Sequence, residues 1–576
     1  MRTDFGPVNE DLSRRAVAPT EGERVKCAAS TAARSRSLTV SALHTTSVVA
    51  RVRVRQPIQH RFGVFLLAVA VTEVAMTKTN TGGLIQARSV EQRNGEIILS
   101  GDEAGVVQVS GTLDASGKQA GQKGGSVKVL GEKVRLTASA RVDVSGSAGG
   151  GEALIGGAFR GGQATPQEYA EYTILPSRKP PVPNAIETTV EAGAIIAADA
   201  IDAGQGGKIV VWSDGSTSAF GTFSARGGLN GGDGGFVETS GHYLSLDGAV
   251  VSTAAFTGKA GNWLLDPYDL TVIGAGTPSI TVSTAGGVFN SVSGGSTILN
   301  TQLQTALGSN NVTLTTSGSA GSDGNIIVDA PVSWAGTRKL TLNAYNSIKI
   351  NAAVTSTGTG GLTLTPNIGA MGGVLVTGTN GSVSMTGGTP GVLTIGGHVY
   401  TLINDLTGLQ SLPLTGYYAL NRNIDASDTS NWNAGHGFVP IGYSSASTTN
   451  ASIPDTTLTG VNATPTSFTG SFDGLGHAIS GLTISNTAAN NLGLFSWVGS
   501  GSAVQNISLI GGSVTGGGSG FGGYGMLAGT NMGRIGNAVA TGTVSGGDGA
   551  LSAASIHRPT PRPVTPISAQ PRSRVD

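Results

Sequence analysis

Apolar and polar residues alternate in short runs, separated by small-residue turns, through most of the chain. A glycine pair precedes four of these runs, which read GGSVKVLG at 124–131, GGEALIGG at 150–157, GGKIVVW at 206–212 and GGFVETSG at 234–241. Alternation with a period of two is typical of a β-strand with one buried face. The runs recur about every 26 to 28 residues, apart from one interval of about 56. This recurrence predicts stacked repeats rather than separate globular domains.

Partner strands lie between these runs, for example VVQVSGTLDASG at 106–117 and VRLTASARVDVSG at 134–146. The fold class predicted is all-β, a right-handed parallel β-helix (β-solenoid) with flexible N- and C-terminal tails. At roughly 25 residues per coil, about 19 coils would form a rod on the order of 90 Å long. The alternation predicts one set of inward side chains, Val127, Val129, Ile209 and Val211, and one set of outward side chains, Ser126, Lys128 and Lys208.

Changes of composition divide the chain into five segments. They are an atypical basic leader at 1–70, β-helix repeats at 71–262 with an inserted loop at 161–185, a Ser/Thr/Gly-rich β-solenoid at 263–416, a further β-solenoid at 417–546, and a Pro/Arg-rich disordered tail at 547–576. Helical spacing of apolar residues predicts two short helices, within 297–307 and within 403–412.

The leader leaves two interpretations open. Its apolar run FGVFLLAVAV at 62–71 has the length of a signal-peptide core and is too short to span a bilayer. The alternative is a poorly ordered or wrongly assigned start, with the run belonging to the first strand. Arg51, Arg53 and Arg55 would either contact a membrane or nucleic acid or form a solvated basic stretch.

Composition narrows the function classes. Glycine accounts for 91 of 576 residues, and the formal net charge is zero. A neutral chain lacks the basic footprint of a nucleic-acid-binding protein. The single cysteine, Cys27, excludes an internal disulfide, so stability has to come from repeat stacking.

Candidate chemistry is sparse, and each candidate has a structural alternative. Gly231–Gly235 is either a fragment of a calcium-binding repeat or a tight turn. Asp266 and Asp269 are either catalytic carboxylates of a carbohydrate-active enzyme or turn residues beside a coil anchored by Trp263 and Leu264. Three aromatic residues either line a sugar-binding groove or fill a wide core, namely Trp432, Phe438 and Phe472. None of the seven histidines is paired at metal-ligand spacing. No catalytic, cofactor-binding or metal-ligating residue is therefore assigned.

Three motifs resemble the filamentous-haemagglutinin-like exoproteins of Gram-negative bacteria, large adhesins exported by two-partner secretion. They are VQVSGTLDASG at 107–117, GFVETSG at 235–241 and WLLDPYDL at 263–270, and the segment 525–546 resembles the GLUG motif found in the same passengers. The resemblance implies a secreted or outer-membrane-associated adhesin without enzymatic activity. The partners it implies are receptors or glycans of host or neighbouring cells, and an outer-membrane transporter.

Residues 1–70 do not match the N-terminal secretion domain of that family. We therefore expect either an internal fragment of a longer rod or a truncated, non-functional remnant. A carbohydrate-active β-helix enzyme, a polysaccharide lyase or glycosidase, stays as the alternative function.

Overall fold

The computed structural model describes residues 95–101, 105–172, 182–274, 295–318, 323–443, 466–487, 489–517 and 523–546, together with the backbone of five outlying strands. The strands, in chain order, are β1 Ala50–Val54, β2 Ala70–Ala75, β3 Lys78–Thr81, β4 Leu84–Gln86, β5 Glu96–Ser100, β6 Val106–Val109, β7 Thr112–Asp114, β8 Ser126–Leu130, β9 Lys133–Leu136, β10 Arg141–Asp143, β11 Glu152–Ile155, β12 Glu187–Val190, β13 Ile195–Ala197, β14 Lys208–Ala219, β15 Thr222–Ser224, β16 Phe236–Ser245, β17 Val250–Ser252, β18 Asn262–Leu265, β19 Leu270–Ile273, β20 Ser296–Leu299, β21 Asn311–Thr315, β22 Ile326–Val328, β23 Val332–Trp334, β24 Leu340–Asn343, β25 Ile348–Ile350, β26 Ala353–Ser356, β27 Leu362–Thr365, β28 Leu375–Thr377, β29 Ser382–Met385, β30 Leu393–Ile395, β31 His398–Ile403, β32 Tyr417–Leu420, β33 Ile424–Asp425, β34 Ser471–Asp473, β35 Ala478–Ser480, β36 Thr483–Asn486, β37 Phe495–Val498, β38 Ala503–Ile510, β39 Ser513–Gly516, β40 Gly523–Gly525, β41 Ala528–Asn531, β42 Arg534–Ala540, β43 Thr543–Ser545 and β44 Leu551–Ala553. The helices are α1 Pro166–Glu171, α2 Asn300–Leu307 and α3 Leu406–Gln410, with short 3-10 segments at Phe159–Gly162 and Ser427–Gly435.

Parallel pairing between successive repeats organises the N-terminal part of the protein into three ladders. The first ladder joins β5, β8, β11, β14, β16, β18, β21, β24, β27 and β30. The second follows one strand later in each repeat, from β6 through β9, β12 and the second halves of β14 and β16 to β20, β19, β22, β25 and β28. The third comprises β4, β7, β10, β13, β15 and β17, and then β23, β26 and β29. The all-β prediction is confirmed, and the ladders are parallel.

The predicted alternation of inward and outward side chains is also found. Val127, Val129, Ile209 and Val211 are buried, whereas Ser126, Lys128 and Lys208 are partly exposed. The buried set continues from repeat to repeat as one hydrophobic core that includes the fully buried Trp263. Each strand therefore contributes one apolar face to a continuous interior, which is the main source of stability for a chain with so few charges.

Helix α2 occupies the position in the third ladder between β17 and β23. Its Leu303 and Leu307 enter the core. The Gln302 amide donates to the carbonyl oxygens of Leu246 at 2.7 Å and Ala249 at 3.1 Å, and Gln304 accepts a hydrogen bond from the backbone N–H of Ser333 at 3.0 Å. A helix was predicted within 297–307. The structure begins it at Asn300, because Ile298 still belongs to a strand, and it confirms the helix within 403–412 as α3.

Strand direction reverses between Ile395 and His398, where β31 pairs antiparallel with β30. From β31 onward, β32, β34, β38 and β42 are again mutually parallel. We call the described residues of 95–395 the N-terminal stack and the described residues of 398–545 the C-terminal stack. The C-terminal stack has its own core, to which Phe438 and Phe472 belong, with Trp432 packed partly buried against it. The reversal lies upstream of the boundary at 416–417 expected from composition.

The C-terminal stack covers the last strand edges of the N-terminal stack. Asn421 makes two hydrogen bonds to Met385, accepting from its N–H at 2.6 Å and donating to its carbonyl oxygen at 2.9 Å. Asn506 likewise accepts from the N–H of Thr377 at 3.2 Å and donates to the carbonyl of Leu375 at 3.2 Å. Unpaired strand edges are prone to pair with other chains, and side-chain amides here occupy the edges of β28 and β29. We call this region the junction.

Most of both predicted tails and most of the signal-like run lie outside the described residues. Within the tail predicted to be disordered at 547–576, the backbone of β44 is described and pairs parallel with β40. The backbone of β1, which carries Arg51 and Arg53, pairs antiparallel with β2, and the last residues of the apolar run, Ala70 and Val71, are in β2. In the part of the chain that the structure describes, no helix is long and apolar enough to span a bilayer.

Candidate functional site

One patch on the outer face of the N-terminal stack is made mainly of buried apolar side chains, although this face of a strand usually carries polar side chains in contact with solvent. Register places four side chains of successive first-ladder strands in one row, Leu154, Val210, Glu238 and Leu264. All four are buried, although the inner face of the same strands is already filled by the core. Trp212 and Phe236 extend this second, outer cluster. We call these six residues the covered patch.

Described residues of the insertion between β11 and β12 cover this patch. Phe159 lies at its centre, with ring centroids 5.4 Å from Tyr169, 5.9 Å from Tyr172 and 5.4 Å from Phe236. Edge-on aromatic contacts of this kind are favourable beyond the area they bury. The insertion begins earlier than the loop predicted at 161–185, because it includes the 3-10 turn Phe159–Gly162 before helix α1. Its residues Phe159, Ala164, Tyr169, Tyr172 and Val182 pack against the sheet rather than projecting from it.

Arg160 connects the inserted segment to the sheet. Its Nε and Nη2 atoms lie 2.9 Å and 2.6 Å from Oδ2 of Asp266. Its Nη1 contacts the Glu168 carboxylate, which also forms a capping box with Thr165 at the start of α1. The backbone N–H of Arg160 donates to the Glu238 carboxyl at 3.1 Å and 3.3 Å. One residue of the insertion thus contacts three acidic side chains, one in α1, one in β16 and one just after β18.

Burial dominates the electrostatics of the two sheet carboxyls. Desolvation between Val210 and Leu264, together with the charge of Asp266, raises the pKa of Glu238 to about 8. Burial also raises the pKa of Asp266, although the Arg160 guanidinium opposes that shift. At neutral pH the cluster therefore holds Glu238 mainly protonated, with Asp266 as the partner of Arg160.

Glu238 and Asp266 form a pair of carboxyls beside the Arg160 cation, and glycoside cleavage uses a pair of carboxyl groups. They could act on a polysaccharide only if the substrate could contact them. Asp266 is 3% exposed and Glu238 is 0% exposed beneath the insertion, so a polysaccharide cannot contact either carboxyl in this conformation. Asp269 has a partner that Asp266 does not share, since it accepts a hydrogen bond from the N–H of Asn325 at 2.8 Å. Of the two carboxylates proposed from sequence, Asp266 therefore belongs to the cluster around Arg160, whereas Asp269 bonds the backbone at Asn325.

The other sequence candidates have structural roles. In the segment 231–235, Gly231 donates its N–H to the carbonyl oxygen of Gly228 at 3.2 Å, as in a turn, and Asp233 accepts from the N–H of Lys259 in the next repeat at 2.8 Å. Among the described residues, no group of three or more His, Cys, Asp or Glu side chains is placed to hold a metal ion. Phe438 and Phe472 are buried in the core, which favours the packing interpretation over a sugar-binding groove.

Nothing in the sequence pattern singles out Arg160 or Glu238, although the pattern does contain a signal for the covered patch. ALI at 153–155, IVVW at 209–212 and WLL at 263–265 are continuous apolar runs rather than alternating ones. Continuous runs indicate strands that are buried on both faces. Together with an insertion rich in aromatic residues, they predict a cover over these strands, but they do not identify the residue that anchors it.

A polar cleft of about 350 Å³ lies at the junction. The N-terminal stack contributes Asn380, Ser382 and Ser384, and the C-terminal stack contributes Arg422, Asn423 and His477. His477 joins the two walls, since its Nε2 lies 2.8 Å from the carbonyl oxygen of Val383 and donates the single N–H of the neutral ring to it. Burial lowers the pKa of His477, so Arg422 supplies the positive charge of this cleft at neutral pH.

Comparison with known proteins gives one partial similarity. The chain is 38% identical over 133 residues, or 23% of its length, to halomucin of Haloquadratum walsbyi. The match spans 1% of that protein's length. No family model matches the chain.

Proposed function

We propose that this chain is a segment of an elongated, surface-displayed adhesin of the filamentous-haemagglutinin-like kind, built as a right-handed parallel β-helix. The observation that carries the proposal is the continuity of the first ladder from β5 to β30. A ladder that adds a strand per repeat lengthens the molecule without closing it into a globule, and it displays long solvent-facing rows. Such rows suit adhesion to a large, repetitive partner.

The covered patch supports a binding protein over the alternative of a carbohydrate-active enzyme. The carboxyls that an enzyme would use are buried beneath an insertion that Arg160 and Phe159 hold in place. We therefore assign Glu238, Asp266 and Arg160 a structural role. The partial similarity to halomucin is compatible with a surface location but covers too little of either chain to carry the proposal alone.

The proposal is tested by location and adhesion together. Antibodies to the purified chain should label intact source cells, and beads coated with the chain should adhere to host or neighbouring cells more than uncoated beads. Product confined to the cytoplasm, or undetectable in the source cells, would support a non-functional remnant instead. Turnover of acidic or neutral polysaccharides that is lost in Asp266→Asn would overturn the proposal in favour of an enzyme.

A further inference from the structure

We propose that the junction cleft is a binding site for a carboxylated saccharide, a hexuronate unit of an acidic polysaccharide. This inference deepens the proposed adhesin function and depends on it for its biological meaning, although the binding itself can be measured separately. Its basis is the combination of a cleft of ligand size, a set of polar side chains without partners, and a single exposed cation.

The size of the cleft suits a short saccharide. Its volume of about 350 Å³ lies at the lower end of the range of about 300–1,000 Å³ usual for small-molecule sites. The side chains named above as its lining are hydroxyl, amide, imidazole or guanidinium groups. A lining that presents this many hydrogen-bond donors and acceptors matches a ligand covered with hydroxyl groups.

Several of these groups have no partner in the described part of the protein. Asn423 accepts a hydrogen bond from the N–H of Ala478 at 3.0 Å through Oδ1, and its NH₂ group has no hydrogen-bond acceptor among the described residues. The Arg422 guanidinium is exposed and forms no ion pair with any described residue. By contrast, the amide oxygen and NH₂ group of Asn421 are both already hydrogen-bonded to the backbone of Met385. The side-chain donors of Arg422 and Asn423 are therefore available to a ligand in the cleft, whereas the amide of Asn421 holds the cleft wall in place.

The charge of the cleft selects the class of saccharide. Among the described residues that line it, none carries a carboxylate, and Arg422 is the only permanent cation. A guanidinium fork matches a carboxylate in bidentate geometry. A heavily sulfated chain would place several negative charges near one arginine, so the cleft fits one carboxylate per bound unit better.

The cleft walls are held in place before any ligand binds. The two hydrogen bonds of Asn421 and the contact of His477 with Val383 fix the wall from the C-terminal stack against β29. Ser384 lies 3.3 Å from Nε2 of His477, so it belongs to the same connected set. A preorganised site loses less conformational entropy on binding than a flexible one.

Isothermal titration calorimetry of the full chain with three oligosaccharides of equal length tests the inference. The oligosaccharides are an oligogalacturonate, a neutral oligogalactose, and a sulfated oligogalactose without carboxylates. We expect the oligogalacturonate to bind most tightly, and we expect Arg422→Gln to weaken that binding by about tenfold or more. Arg534→Gln is the matched control, because Arg534 is also exposed in the C-terminal stack but lies outside the cleft lining.

Equal binding of all three oligosaccharides, equal loss in both arginine variants, or no binding at all would overturn the inference. Tighter binding of the sulfated oligosaccharide would overturn the assignment to a carboxylate. Bead adhesion that persists in Arg422→Gln without any oligogalacturonate binding would reject the cleft and leave the adhesin proposal standing. Oligogalacturonate binding by a chain that does not adhere to cells would reject adhesion and leave the cleft.

Discussion

The guanidinium of Arg160 lies 2.6 Å from Oδ2 of Asp266 and joins an insertion to a sheet that the chain forms about a hundred residues later. Asp266 is 3% exposed, so its charge has lost nearly all contact with water. An ion pair of this kind is costly to break from one side, because the remaining charge stays buried.

Replacing Arg160 alone should therefore destabilise the protein. We expect Arg160→Gln to lower the free energy of unfolding by about 3–5 kcal/mol and to make the inserted segment sensitive to limited proteolysis. The double variant Arg160→Gln/Asp266→Asn should lose less. Arg135→Gln is the control, because the side chains of Arg135 and of its partner Glu191 are both partly exposed, at 37% and 27%. That change should cost at most about 1 kcal/mol. Similar losses for the two arginine variants would contradict the buried-pair interpretation.

Glu238 predicts the direction of a pH effect. Its pKa is raised in the folded protein to about 8, above its ordinary value of 4.5, so the folded state holds a proton that the unfolded chain releases between these pH values. Stability from this group is thus fully present below the ordinary pKa and is lost as pH rises through 8.

The variant Glu238→Gln removes the titrating group and retains a side-chain acceptor for the Arg160 N–H. We expect denaturant midpoints of the parent protein to fall between about pH 5 and pH 9 more steeply than those of Glu238→Gln. Parallel pH profiles for the two proteins would show that Glu238 has an ordinary pKa.

Gly161 provides a test of how closely the insertion lies on the sheet. Its φ is +61°, and a Cβ atom there would come within 2.8 Å of the Trp212 ring. The adjacent Gly162 has a φ of +80°, but a Cβ atom would meet nothing within 4 Å. Both alanine variants strain the backbone by about 1 kcal/mol or more. Only Gly161→Ala also displaces the indole, so thermal unfolding should show the larger loss for it. Equal losses would mean that the insertion does not pack closely on Trp212.

A substitution of Asn421 tests whether the C-terminal stack protects the edge of strand β29. Loss of its amide leaves the buried N–H and carbonyl of Met385 without their side-chain partners, which should cost about 1–3 kcal/mol. Asn421→Ala should also speed hydrogen exchange at the Met385 amide. Asn351→Ala is the control. Asn351 is exposed, and its amide donates a hydrogen bond at 2.7 Å to Asp329, which is exposed as well. Unchanged exchange at Met385 would show that the junction does not protect this edge.

The sequence by itself determined the repeating strands and their inner faces. Alternation about positions such as Val127 and Ile209 follows from the two-residue period of a strand, and small residues fix the turns. Local spacing also located both short helices, because helical periodicity is visible within a few residues.

Only the tertiary structure decided the outer contacts. Arg160, Glu238 and Asp266 are far apart in the chain, and their meeting depends on which repeats stack in register and on where the insertion folds back. The same holds for Asn421 and Met385, whose pairing requires the reversal of strand direction before His398. Periodicity reports which face of a strand is apolar, whereas long-range contacts depend on the three-dimensional path of the chain, which no local pattern encodes.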